Sequence, residues 1–251
     1  DNGFWELGFC FEEIMFIVPV NAGLFCNKLV SCTAYSILSV KHNRPISFCN
    51  YGQDYLPYLF EFLDEEKLDI VDAPISERHP IPEEILELGC KNTEYLQCSG
   101  TAKLITENLH LVFRDEVIEQ EPIDGVFVHM RLGDLDQRYR QDRDYYDLAL
   151  QQIPNYKNIK RYVTSSELHS KTVRSFAREF DFEIYEGGRE ETLKFGSRFT
   201  NKILSQGTYS WFIGALGSSD NIIYPAFYED KTWHDPTFYE PTGWTCLYYR
   251  N

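Results

Sequence analysis

Hydrophobic and polar positions divide the chain into an irregular first part and a strictly alternating second part. Residues 14–20, IMFIVPV, form an unbroken apolar run, the pattern of a strand buried in a parallel sheet. NAGLFCNKLV follows, and Leu24, Leu29, Val30, Tyr35, Ile37 and Leu38 outline one broad apolar helix face running to about Lys41. Pro45 disfavours helix at Arg44 and stops the element. Ile46 to Cys49 then read as a second strand, which gives one βαβ unit. Between about 52 and 122 the pattern supports only short helices, near 55–65, 82–88 and 102–114, with a charged, proline-bearing loop at ERHPIPEE.

From about residue 123 the period switches regularly between two and 3.6. Strands are predicted at 125–130, 159–164, 182–185, 202–204 and 221–224. Helices are predicted at 143–153, 167–180, 190–199 and 208–216. Strand and helix in strict turn specify an α/β fold with a parallel sheet and helices on both faces. Ligands of such sheets sit at the carboxyl ends of the strands.

Charge narrows the partners. Lys and Arg number 24 against 39 Asp and Glu, a formal net charge of -15. A chain this acidic opposes a nucleic-acid backbone and an anionic membrane surface, because both kinds of binding rest on Lys and Arg. A phosphorylated small molecule needs only a few N–H groups and one or two cations. The apolar run at 14–20 is too short to span a bilayer. It follows Glu12 and Glu13 instead of a basic region, so it does not read as a signal peptide. Cytoplasmic location is expected, or a secretory-pathway lumen with an anchor upstream of Asp1. The seven cysteines contain no CxxC pair and no zinc-ligand spacing. They read mainly as reduced thiols, with one or two disulfides as the alternative.

Three segments carry candidate chemistry, each at a predicted strand end. In HMRLGD, His129 and Arg131 alternate to one face while the strand stays extended. Gly133 allows a turn, and Asp134 and Asp136 follow on the loop. A guanidinium there can clamp a diphosphate with two parallel hydrogen bonds; an ion-paired Arg and a satisfied His are the plainer reading. In SQGTYSWFIGALGS, Gly207, Thr208 and Ser210 open a helix whose unpaired N–H groups and dipole suit a phosphate. Plain capping by Thr208 is the alternative. In YVTSSE, Ser165, Ser166 and Glu167 offer a polar edge to a base or ribose, or simply cap a helix. The turn at Asn21 and Gly23 also joins a strand to a helix, with Asn27 in the first turn, but it lacks the GxGxxG of dehydrogenases. A cation, a polar edge and an anion nest on one rim fit a single nucleotide site.

The order of these motifs resembles the fucosyltransferase superfamily with the GT-B fold, nearest to the α-1,2-fucosyltransferases of glycosyltransferase family 11. That family has a G-L-G-N-Q turn, H-x-R-R-G-D, F-S-D-D and S-x-F-S-W-W-G-A. AGLFCNKL, HMRLGD, YVTSSE and TYSWFIGAL stand in the same order here, over about residues 14–225. The first turn lacks the G-x-G-N spacing, and Leu132 replaces the second Arg, as an apolar residue does in protein O-fucosyltransferases. The resemblance implies two Rossmann-like lobes with a cleft between them, an acceptor-side lobe at 1–120 and a donor-binding lobe at 121–251. It implies metal-independent, inverting transfer of L-fucose from GDP-fucose to a glycan hydroxyl, with no cofactor beyond the donor. Arg131 would contact the β-phosphate, with His129 supporting it or touching the sugar. Thr208 and Ser210 would bind the phosphates, and Ser166 and Glu167 the base or ribose. The acceptor hydroxyl needs a general base; Asp134 and Asp136 are the local candidates, with Asp134 nearest the rim, and a loop-capping or Arg-pairing carboxylate is the alternative for Asp134. The alternatives are a transferase of the same fold using another nucleotide sugar, a nucleotide- or glycan-binding protein without catalysis, and an α/β domain without a site.

Overall fold

A computed structural model describes residues 15–19, 23–51, 54–73, 81–93, 95–133, 140–226, 236–239 and 243–248. The chain divides into two compact units between Arg114 and Asp115.

In the first unit, β1 (Phe16–Ile17) pairs in parallel with β2 (Ile46–Ser47) across the helix α1 (Phe25–His42). Most of α1 is buried, from Phe25 to Ser39. Asn43, in the left-handed region at φ 50°, closes the helix just before Arg44 and Pro45, a favoured way to satisfy the last carbonyls. Leu24 does not belong to the apolar face: it is the extended residue before the first turn and is 70% exposed. Short helices follow at α2 (Leu56–Phe60), α3 (Glu83–Leu86) and α4 (Ser99–Asn108). A disulfide joins Cys90 to Cys98, where sequence composition favours reduced thiols. The chain folds back before α4 and brings the two Cα atoms to 5.2 Å, within bridging distance, and no spacing motif announces that return.

In the second unit, α5 (Asp115–Ile118) leads into β3 (Ile123–Met130), α6 (Arg143–Gln151), β4 (Lys160–Ser165), α7 (Lys171–Phe180) and β5 (Glu183–Ile184). Then come α8 (Arg189–Ser197), β6 (Phe199–Ile203), α9 (Thr208–Ala215), β7 (Asn221–Pro225) and β8 (Thr245–Leu247). The six strands make one sheet, ordered β5-β4-β3-β6-β7-β8, and every pairing is parallel. Numbered from the start of this unit, the order is 3-2-1-4-5-6, the doubly wound Rossmann arrangement. The chain winds outward through β4 and β5, then returns to the other flank of β3 to lay down β6. The strand order therefore reverses between β3 and β6.

The central strand explains why its sequence is an apolar run. Val126, Val128 and Met130 pack with Tyr145, Tyr146, Ala149 and Leu150 of α6 and Val173 and Phe176 of α7. Phe127 points the other way, edge-on to Phe195 of α8 and tilted on Phe199. Gly196 of α8 has no room for a side chain there, since a Cβ would lie 2.5 Å from the Phe127 ring. Helices thus cover both faces and α8 approaches β3 closely.

Several elements depart from the sequence pattern: β6 begins at Phe199, inside the expected helix 190–199 and ahead of the expected strand 202–204. The helix expected from Glu167 begins at Lys171, because the Ser170 hydroxyl accepts the Val173 N–H at 3.3 Å and caps it there. The strand β8 lies beyond the last expected one. It is three residues long and flanked by polar and aromatic residues, so it has neither an apolar run nor enough alternation to be read.

Candidate functional site

The strand order reverses between β3 and β6, and doubly wound sheets hold their ligands at the carboxyl ends of the strands at such a reversal. Arg131 is the first residue after β3. Ser205, Gln206 and Gly207 are the turn from β6 into α9. The Arg131 N–H donates to Ser205 Oγ at 3.1 Å, and its Nη1 points to the Gln206 carbonyl at 3.5 Å. Gly207 takes φ +108°, and a Cβ on it would lie 2.2 Å from Arg131 Nη1. The guanidinium therefore rests against the bare backbone at the start of α9, and both the φ and the contact call for glycine. Gly207, not Thr208, is the N-cap; Thr208 is the first helical residue. Capping by the Thr208 side chain is thereby replaced by a cap with no side chain. The guanidinium thus lies beside the partial positive end of the helix.

His129 supports this turn. Its Nδ1 lies 2.5 Å from Ser210 Oγ and 3.2 Å from Ser205 Oγ, and the two hydroxyls are 3.0 Å apart. The Ser205 N–H donates to Ser210 Oγ at 3.2 Å. Each hydroxyl oxygen thus accepts a backbone N–H and must place its own proton within the cluster. Two arrangements satisfy both protons, Ser205 to Ser210 to His129 Nδ1 and Ser210 to Ser205 to His129 Nδ1, and both end on Nδ1. Nδ1 accepts, and the neutral imidazole carries its proton on Nε2. Ser210 is fully buried, and its hydroxyl is engaged with His129 and Ser205 behind the turn. The Tyr209 ring lies 5.1 Å from the imidazole, and its hydroxyl donates to the Arg189 carbonyl at 2.7 Å.

On the other flank of β3, Gly133 and the end of β4 meet. The Gly133 N–H donates to Ser166 Oγ at 3.1 Å. A Cβ on Gly133 would lie 3.1 Å from that oxygen and 3.3 Å from Glu167 Cγ, so the glycine permits a close approach. Ser165 Oγ accepts the Glu167 N–H at 3.1 Å, which makes Ser165 a turn former. Ser166 and Glu167 are exposed at this rim. Leu132 is buried in the α6 side of the core.

Asn21, Asp134 and Asp136 lie outside the described residues. Gly23 belongs to the first unit, where a Cβ would lie 2.4 Å from the Asn27 side chain; Asn27 Oδ1 accepts from Gln97 Nε2 at 3.1 Å.

Several supporting residues carry no sequence signal. The Tyr239 hydroxyl donates to the Gly207 carbonyl at 2.8 Å, and burial pushes its phenol well above the ordinary value while Arg131 pulls it back down. Tyr145 donates to the Leu204 carbonyl at 2.6 Å. The Gln206 N–H donates to Gln141 Oε1 at 3.3 Å. Among these, only Gln206 falls inside a motif readable from the chain.

Among the described residues, no group of three or more His, Cys, Asp or Glu is placed to hold a metal ion. No described helix is long and apolar enough to cross a membrane. The chain matches no family model, no curated protein and no solved structure.

Proposed function

We propose that the second unit binds a nucleoside diphosphate sugar at the carboxyl ends of β3 and β6 and that the protein is an inverting glycosyltransferase, with GDP-fucose as donor and a glycan hydroxyl as acceptor. The observation that carries this reading is the contact of the Arg131 guanidinium with Gly207 at the N-terminus of α9. A diphosphate lying there receives a fixed cation and the N–H groups of a helix start together, both suited to its charge. The Gly133, Ser166 and Glu167 rim, one strand away, supplies polar groups for the ribose or base. The motif order and its likeness to GT-B fucosyltransferases add the sugar and assign the acceptor to the first unit.

The reaction is a single displacement. The acceptor oxygen bonds to the anomeric carbon as the bond from that carbon to the β-phosphate oxygen breaks. GDP leaves with the bonding pair, and the acceptor proton passes to a base, for which Asp134 is the candidate. Arg131 and the α9 amides stabilise charge as it gathers on the leaving diphosphate, without rearranging at that moment. By the same likeness, His129 supports Arg131 or touches the sugar.

Calorimetric titration with GDP, UDP and GDP-fucose tests the reading, followed by a transfer assay. GDP should bind and UDP should bind far more weakly. Failure of all three at millimolar concentration overturns the proposal. Preference for UDP would move the assignment to another nucleotide sugar, and GDP binding without transfer would leave a binding protein.

A further inference from the structure

We infer that Tyr239 is a positioning residue of the diphosphate site, acting through the Gly207–Thr208 peptide, an inference that rests on the nucleotide reading above. The N-cap of α9 is a glycine and has no side chain to fix the first turn. Its conformation, at φ +108°, is one that glycine reaches at little cost and holds only if something fixes it. Two groups do so through the Gly207 carbonyl. One is the helical Trp211 N–H at 3.0 Å, and the other is the Tyr239 hydroxyl at 2.8 Å.

The geometry follows from the peptide group itself. No described peptide bond is cis. In a trans peptide the carbonyl and the following N–H point in opposite directions. Drawing the Gly207 carbonyl inward onto Tyr239 therefore aims the Thr208 N–H the opposite way, off the helix start on which Arg131 rests. Tyr239 is built to hold still. It is 1% exposed, stacks on Tyr224 with centroids 5.1 Å apart, and meets Phe238 and Trp244 edge-on. Burial keeps its phenol protonated, so it remains a donor.

Tyr239→Phe keeps the ring and removes the donor. GDP and guanosine binding should be measured by calorimetry on the full chain, with the thermal midpoint alongside. The amide signal of Thr208 should be followed during titration with inorganic pyrophosphate. The expected result is a loss of about tenfold in GDP affinity, one hydrogen bond's worth, with guanosine affinity and the fold kept. The Thr208 amide should respond to pyrophosphate in the wild-type chain and respond less in the variant. Unchanged GDP affinity, or equal losses for GDP and guanosine, overturns the role of Tyr239 and leaves the site intact. A variant that unfolds and loses both ligands makes Tyr239 a packing residue, and a wild-type Thr208 amide indifferent to pyrophosphate likewise overturns the inference. A wild-type chain that binds neither GDP nor pyrophosphate removes the nucleotide reading itself.

Discussion

His129 Nδ1 and Ser210 Oγ stand 2.5 Å apart, the closest contact in a buried cluster that ties β3 to α9. Because Ser205 and Ser210 each accept a backbone N–H, the cluster fixes the imidazole in its Nε2–H form. Nitrogen-15 NMR of the imidazole should therefore report an acceptor at Nδ1 and a proton on Nε2. Ser210→Ala should free the tautomer and cost about 1–3 kcal/mol, since it strands the Ser205 N–H in the interior. Denaturant unfolding reads the second effect. An unchanged stability would mean that the cluster does not hold the turn.

Gly207→Ala attacks the same turn by strain. A φ of +108° is hostile to an L side chain, and the new methyl would occupy the place of Arg131 Nη1. The guanidinium can swing aside, but the backbone cannot relax without moving the start of α9. A stability loss of about 1–3 kcal/mol is expected, with a larger loss of GDP affinity than of guanosine affinity. Thermal unfolding and calorimetry check the two together.

Lys202 predicts a pH dependence. It is fully buried on β6, its Nζ donates to the Leu216 carbonyl at the end of α9 at 3.1 Å, and burial lowers its pKa from 10.5 to about 7. Between those values the unfolded chain holds one proton more than the folded one. Unfolding free energy should therefore rise with pH across this window. Below about pH 7 both states are charged, and the full cost of the buried ammonium is felt. Lys202→Met should flatten the rise relative to wild type in urea unfolding from pH 6.5 to 10. Equal slopes in the two proteins would contradict the assignment.

Much of the second unit was legible because each buried strand must be apolar on both faces and each helix on one. The run at 125–130 and the spacing of Val173, Phe176 and Ala177 follow directly from that demand. The sheet order was not legible, since nothing local states on which flank of β3 the strand β6 will settle. The site divides the same way. Arg131, Gly207 and Glu167 are visible as polar residues at strand ends. The engagement of Ser210 with His129 is not, because nothing local states what a hydroxyl in the first turn of a helix will meet. Tyr239 lies in a stretch rich in aromatic residues, where no periodicity marks one ring as the partner of a carbonyl.

The contact between Arg131 and the start of α9 is the point on which the functional reading turns, and Arg131→Ala measured against GDP and guanosine tests it most directly. The account predicts that GDP binding falls by roughly 2 kcal/mol, the scale of a charge-assisted hydrogen bond, while guanosine binding is preserved. Equal losses for the two ligands, or no loss for either, would contradict it.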